Sequence, residues 1–130
     1  MQTSLPVSEM LESRTLLSSI SVVQTVLTIN ADVKTANNIS VHRSAENEIT
    51  VSVNGSQRVF GSCDVISRIV INGGNLADRL VVNEDDAPLG IPVAMNGRIG
   101  DDTLIGGSGD DQVNGGVDDD SINGNGGDDH

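Results

Sequence analysis

The chain has 130 residues with one Phe, no Trp, no Tyr and one Cys, and its 19 acidic against seven basic residues give a formal net charge of −12. So few aromatics exclude a deep core of large side chains and point to a single elongated module packed from small aliphatics. The acidic balance disfavours nucleic acid and anionic lipid as partners, and a lone Cys63 excludes an intrachain disulfide.

Residues 1–20 are the least like the remainder. After Pro6, Met10, Leu11, Arg14 and Leu17 fall at helical spacings, which predicts a short helix from about Ser8 to Leu17. Arg14 is the first basic residue and no small-residue cleavage site follows the apolar stretch Leu16 to Val23, so the segment does not read as a cleaved secretory leader. Nor does it read as a membrane span, being broken by Ser18, Ser19 and Ser21 and shorter than the roughly 20 residues required. The run Leu11-Glu-Ser-Arg-Thr-Leu-Leu-Ser18 resembles a short N-terminal motif of large exported surface proteins of planctomycete bacteria, which implies export. An ordinary amphipathic helix start accounts for the same residues equally well.

Residues 21–96 read as a β-rich scaffold. Val23, Thr25 and Leu27 alternate with Val26 and Thr28, and Ile49, Val51 and Val53 alternate with Thr50 and Ser52, the period-two pattern of strands. Asn54-Gly55 between apolar runs predicts a hairpin that returns Val59 and Phe60 beside Val51 and Val53. The acceptor-like tripeptides starting at Asn38 and Asn54 are read as incidental. Cys63, with neither His42 nor His130 near it in sequence, is expected to be a small buried thiol.

From Gly97 to His130 glycines and aspartates return every nine residues, in copies starting at Gly97, Gly106, Gly115 and Gly124. Glycines at the first, second and fourth places (Gly97 and Gly100, then Gly106, Gly107 and Gly109, then Gly115 and Gly116, then Gly124 and Gly127, with Gly126 an added glycine in the third place) let the backbone turn through positive φ and present carbonyl oxygens. The sixth place is Asp102, Asp111, Asp120 and Asp129. Such a turn is an oxygen cage suited to a hard cation such as calcium, which takes six to eight oxygens at roughly 2.3–2.6 Å. Leu104, Val113 and Ile122 in the eighth place each supply one inward side chain to a brief strand.

An older copy runs from Ile69-Val-Ile-Asn-Gly-Gly to Asp78-Arg-Leu-Val and aligns with Val93 to Ile105; a fainter one links Thr28-Ile-Asn to Asn37. Asp78 precedes Asp102 by 24 residues, not a multiple of nine, so the loop with Pro88, Gly90 and Pro92 is expected to break the stack and leave Asp78 at most a weak ligand.

Rival motifs fit poorly. The window Asp119-x-Ser121-x-Asn123-Gly124 begins like an EF-hand loop, yet its twelfth place is His130 where a bidentate Glu is required. Gly106-Gly-Ser-Gly109 lacks a following Gly-Lys-Ser/Thr, and Asp110 and Asp111 would repel phosphate. A catalytic carboxylate pair occurs once, whereas these recur with the turn. A merely solvated acidic loop would not fix glycine at constant offsets.

The repeats resemble the hemolysin-type, or RTX, calcium-binding repeats of exported bacterial toxins, proteases and surface proteins, well over 97–129 and weakly over 69–82. The resemblance implies an all-β fold in which parallel β-roll or β-helix repeats at the C-terminus follow a β-rich scaffold with hairpins and a short N-terminal helix. It divides the chain into 1–20, 21–96 and 97–130. Two nonapeptides would make one coil, with calcium joining Asp102 to Asp120 on one edge and Asp111 to Asp129 on the other, and Leu104 stacked on Ile122 with Val113 pointing in from the opposite sheet. Three residues depart from the pattern: Arg98 and Asn125 in the second place and Asp118 in the fourth. The function expected is calcium binding by a secreted or cell-surface bacterial protein, without catalysis, since neither His-Glu-x-x-His nor Gly-x-Ser-x-Gly occurs. The alternative is a calcium-dependent scaffold portion of a larger exported hydrolase or adhesin. Calcium is expected to be a folding partner, because nine aspartates face only Arg98 and few aliphatics are present between Gly97 and His130. The last copy stops at His130, so an open end rung is expected, with end-to-end self-association or association with a larger surface protein.

Overall fold

The computed structural model describes residues 19–85 and 87–130; the helix expected from Ser8 to Leu17 and the export-like motif lie outside them. The described chain is all-β. Its strands are β1 (Ser19–Val23), β2 (Val26–Asn30), β3 (Asn38–Arg43), β4 (Glu48–Val53), β5 (Ser56–Ser62), β6 (Arg68–Asn72), β7 (Arg79–Asn83), β8 (Val93–Asn96), β9 (Thr103–Ile105), β10 (Gln112–Asn114) and β11 (Ser121–Asn123), with one 3-10 turn at Cys63–Val65.

Two mixed sheets form, in the orders β1-β2-β6-β8-β10 and β11-β9-β7-β3-β4-β5. In the first, β2, β6, β8 and β10 run parallel and β1 adds antiparallel to β2. In the second, β3, β7, β9 and β11 run parallel, and β4 and β5 add antiparallel beyond β3. From β6 onward successive strands alternate between the sheets, so each pair of strands completes one coil. The period-two side-chain alternation sets what each coil buries. Leu27, Ile69 and Val93 are paired across the first sheet, as are Ile29, Ile71, Met95 and Val113; Ile39, Leu80, Leu104 and Ile122 are paired across the second. Except for the last coil these side chains meet in one aliphatic core that also takes in Ile49, Val51 and Cys63, with Phe60 packed at its margin. Burial raises the Cys63 thiol above its ordinary pKa.

Three local expectations are corrected. The alternation from Val23 to Thr28 is not one strand: Gln24, at φ 57°, and Thr25 turn the chain between antiparallel β1 and β2. The Asn54-Gly55 hairpin forms, both residues at positive φ as a two-residue turn requires, but its register sets Val59 opposite Thr50 and Arg58 opposite Val51. Most of β5 consequently lies exposed at the sheet edge. Finally, the loop around Pro88, Gly90 and Pro92 does not break the stack. Ile69 pairs with Val93 and Leu80 with Leu104, so the residues in excess of an eighteen-residue coil are absorbed between β7 and β8 while the ladders continue.

Axial hydrogen bonds reinforce the first sheet. Asn72 Nδ2 donates to Asn30 Oδ1 at 2.8 Å and Asn96 Nδ2 to Asn72 Oδ1 at 2.9 Å, an asparagine ladder along the strand ends.

Candidate metal centre

The sixth-place aspartates form two columns, one at each edge where the chain passes between sheets. In the first, Asp78 N donates to Asp102 Oδ1 at 2.8 Å and Asp102 N to Asp120 Oδ1 at 2.9 Å. In the second, Val93 N donates to Asp111 Oδ1 at 3.0 Å and Asp111 N to Asp129 Oδ1 at 2.9 Å. Each sixth-place carboxylate thus reaches back one coil, across eighteen residues within the repeats. The fifth-place carboxylates reach the other way: Asp119 N donates to Asp101 Oδ1 at 3.0 Å and Asp128 N to Asp110 Oδ1 at 2.8 Å. The pairings Asp102 with Asp120 and Asp111 with Asp129 are therefore brought together as neighbours, whereas Asp102 and Asp111 lie in different columns.

Asp78, read as a weak ligand at most, is a buried staple. Its Oδ1 accepts from Asn37 N at 2.7 Å and Asn37 Nδ2 at 3.0 Å, and its Oδ2 from Gly74 N at 2.6 Å. Asn37 holds the top of this column, where the sequence alignment put asparagine in place of aspartate.

The second carboxylate oxygens carry the chemistry. Asp111 Oδ2 accepts from Gly107 N at 2.8 Å, as Asp78 Oδ2 does from Gly74 N. Asp102 Oδ2 has no partner although Asp102 is only 1% exposed. A buried carboxylate oxygen without a donor is costly, and water cannot relieve it from bulk. A Cβ placed on Gly97 would collide with this oxygen and meet the Gly115 carbonyl oxygen at 2.5 Å, so both oxygens crowd the Gly97 α-carbon. Gly106 is placed alike, its notional Cβ 2.5 Å from Asp111 Oδ2 and 2.7 Å from the Gly124 carbonyl oxygen. Gly115 faces Asp120 and Gly124 faces Asp129 in the same way. The first-place glycine is thus demanded by the carboxylate and, at Gly97 and Gly106, also by the next coil's carbonyl. Gly100, Gly116 and Gly127 turn at positive φ, and the departures Arg98, Asp118 and Asn125 keep that conformation at φ 81°, 83° and 64°. Gly107 packs under Val82 and Glu84, Gly109 under Ile91, and Gly126 lies open near Ser108. Asn125 Nδ2 donates to the Gly106 carbonyl at 2.6 Å.

Electrostatics follow the geometry. Burial, with the nearby charges of Asp78, Asp120 and Asp101, outweighs the Asp78 N–H and pushes Asp102 up to about 6. Burial likewise raises Asp111, aided by Asp129 and Glu84 and opposed by the Gly107 and Val93 N–H groups. Both shifts mark sites where negative charge lacks compensation. The donor set is oxygen only, which fits a hard cation. Among the described residues no three His, Cys, Asp or Glu side chains converge as a metal-ligand group, so a cation would draw on backbone carbonyls as well as on one carboxylate per coil.

Glu84 was not singled out in the sequence. Its Oε2 accepts from Leu89 N at 2.6 Å, Ser108 Oγ at 2.8 Å and Ser108 N at 3.0 Å, tying the β7–β8 loop to the second repeat turn. Burial would raise its pKa, but these donors prevail and lower it. Its spacing from Ser108, 24 residues, equals that of Asp78 from Asp102 and was the available signal.

Among the described residues no helix is long and apolar enough to cross a membrane. No protein-family model matches the chain, nor does any curated protein or solved structure.

Proposed function

We propose that the chain is a non-catalytic calcium-binding module of the exported or cell-surface kind, a parallel β-roll capped at one end by antiparallel strands. The observation that carries the reading is the donorless, buried Asp102 Oδ2, crowded with the Gly115 carbonyl around the Gly97 α-carbon. A buried carboxylate oxygen without a donor is costly unless a cation meets it. The eighteen-residue carboxylate columns support the same reading, because they align like oxygens of successive coils. Asp102 and Asp120 would hold calcium with carbonyls of the Gly97–Gly100 and Gly115–Gly116 turns. Asp111 and Asp129 would do so with those of Gly106–Gly109 and Gly124–Gly127. Bound calcium would supply charge neutralisation between coils, and so complete the fold of the repeats.

Calcium titration followed by far-ultraviolet circular dichroism and amide exchange, first with chelator and then at about millimolar calcium, tests this. The repeat amides should gain protection with calcium and much less with magnesium, which prefers a tight octahedron and keeps its waters. Equal protection of residues 97–130 with chelator and with calcium would overturn the reading.

A further inference from the structure

We propose that Arg98 selects the cation site of the stack: it keeps the Asp102 carboxylate open to calcium, whereas glycine at the same place in two sister turns lets the backbone cap the carboxylate, so that the Asp102 turn binds calcium most tightly. The inference rests on the calcium reading above and names the turn that fills first. Three turns share one construction, in which a sixth-place carboxylate and a carbonyl of the next coil crowd the first glycine. Asp78 Oδ2 and the Gly97 carbonyl do so at Gly73, Asp102 Oδ2 and the Gly115 carbonyl at Gly97, and Asp111 Oδ2 and the Gly124 carbonyl at Gly106. The turns differ in the N–H of the residue that follows this glycine. Gly74 N donates to Asp78 Oδ2 at 2.6 Å and Gly107 N to Asp111 Oδ2 at 2.8 Å. Asp102 Oδ2, in a residue 1% exposed, receives nothing from Arg98 N or any other donor.

The conformation at this second place decides which arrangement forms. Gly74 and Gly107 are not at positive φ, and a Cβ on either would have no room. On Gly74 it would meet the Asp32 carbonyl oxygen at 2.6 Å and Val33 Cα at 2.9 Å, and on Gly107 it would meet Val82 Cγ1 at 2.8 Å, all atoms of the preceding coil. A residue with a side chain therefore turns the other way, as Arg98 does at φ 81° and Asn125 at φ 64°. In turns of that kind the N–H leaves the carboxylate. Gly116 N, at φ 91°, donates to Asn114 Oδ1 at 3.1 Å, and Asn125 N to Asn123 Oδ1 at 3.0 Å. The Arg98 charge is not the agent: the residue is exposed and lines an open groove with Asn72, Asn96 and Asn114, where solvent screens it. A capped carboxylate has already met a donor, so a cation relieves less there. A hydrogen bond to a charged group is strong enough that the open and capped turns should differ by about tenfold in affinity.

Calorimetric titration of the metal-free full chain with calcium alone should show one tight class of site and weaker binding beyond it. Asp102→Asn should remove the tight class and Asp111→Asn the weaker one. Arg98→Gly admits the capped conformation and should weaken the tight class about tenfold, although loss of a positive charge by itself would strengthen calcium binding. Arg98→Asn loses the same charge but keeps a Cβ and accepts positive φ, so it should bind as tightly as the parent. If Arg98→Gly binds calcium as tightly as the parent, or Arg98→Asn is weakened as much as Arg98→Gly, the selection by Arg98 is wrong and the calcium reading stands. Loss of the tight class in Asp111→Asn, with its retention in Asp102→Asn, also overturns the selection alone. Absence of calcium binding by the parent up to about 10 mM, well above the range of extracellular modules, overturns the calcium reading and this inference with it.

Discussion

Replacing Asp102 by asparagine separates the fold from the metal, because the two readings of this carboxylate predict opposite signs. The introduced side chain keeps the Oδ1 acceptor for Asp78 N, exchanges the donorless Oδ2 for an amide that can donate, and removes the buried charge. Asn37 shows that the column tolerates this chemistry: its Nδ2 donates to the Asp32 and Thr35 carbonyls, each at 2.8 Å. Asp102 is raised from 3.8 to about 6 and is 1% exposed, so its ionisation in the metal-free fold costs about 3 kcal/mol at neutral pH. With chelator, Asp102→Asn should therefore be more stable than the parent by up to about 3 kcal/mol, or on the order of 10 °C in Tm for a domain of this size. With calcium the order should shift the other way. The parent gains about 2.7 kcal/mol per site at a hundredfold excess over the dissociation constant, whereas Asp102→Asn keeps only the Asp111–Asp129 edge. Thermal melts of both proteins with chelator and across a calcium series provide the measurement. If Asp102→Asn gains as much from calcium as the parent, Asp102 is no ligand; if it is less stable than the parent in chelator, the uncompensated charge was misjudged.

The same raised carboxylates set a pH dependence. For Asp102 a folded pKa of about 6, above its ordinary 3.8, means that stability is greatest below about pH 4 and is lost as pH rises through about 6, and the raised Asp111 acts in the same direction, so the chelated protein should melt lower at pH 7 than at pH 5, with calcium abolishing the difference. Asn72→Ala removes both bonds of the central ladder rung and should cost about 1–2 kcal/mol equally with calcium and with chelator, as read by urea unfolding. Arg98→Gly relieves a non-glycine residue at φ 81° and should raise stability by about 1 kcal/mol in chelator, seen as a higher Tm.

Repetition made part of this architecture legible. Aligning Ile69-Val-Ile-Asn72 with Val93-Ala-Met-Asn96 reproduces the pairing register of β6 and β8 residue for residue, because a repeated strand that buries the same face must stack in register. The eighteen-residue spacing of Asp102 and Asp120 was readable for the same cause. What escaped is whatever does not repeat. The Gln24–Thr25 turn carries neither Gly nor Pro nor Asn, so nothing local announced positive φ. The loop between β7 and β8 looked like an interruption because counting residues says nothing about where a surplus bulges. The asparagine ladder sat in the alignment at Asn72 and Asn96, yet an asparagine at a strand end reads as a turn residue until its neighbour one coil away is known. The donorless oxygen of Asp102 needs coordinates outright: sequence placed the carboxylate and geometry alone shows which of its oxygens lacks an N–H.

Cohesion changes character along the stack. In β2, β6, β3 and β7 two aliphatics per strand are buried, and in β8 three, Val93, Ala94 and Met95. The three-residue repeat strands turn only their middle residue inward, and that side chain goes from fully buried Leu104 to half-buried Val113 to Ile122 at 50% exposure. Aspartate density rises over the same coils, so apolar contact fades where mutual repulsion grows. Hydrogen bonds between coils persist to the end, but each is an exchange of protein for water partners and adds little net cohesion by itself. On the calcium reading this gradient has a purpose. The apolar coils and their antiparallel caps would then fold without metal and present β8 and β9 as a finished edge, to which the repeat coils would add as calcium supplied the cohesion that their side chains lack. Amide protection in chelator should therefore fall off along the chain between β9 and β11, not at the start of the repeats, since Leu104 still belongs to the core.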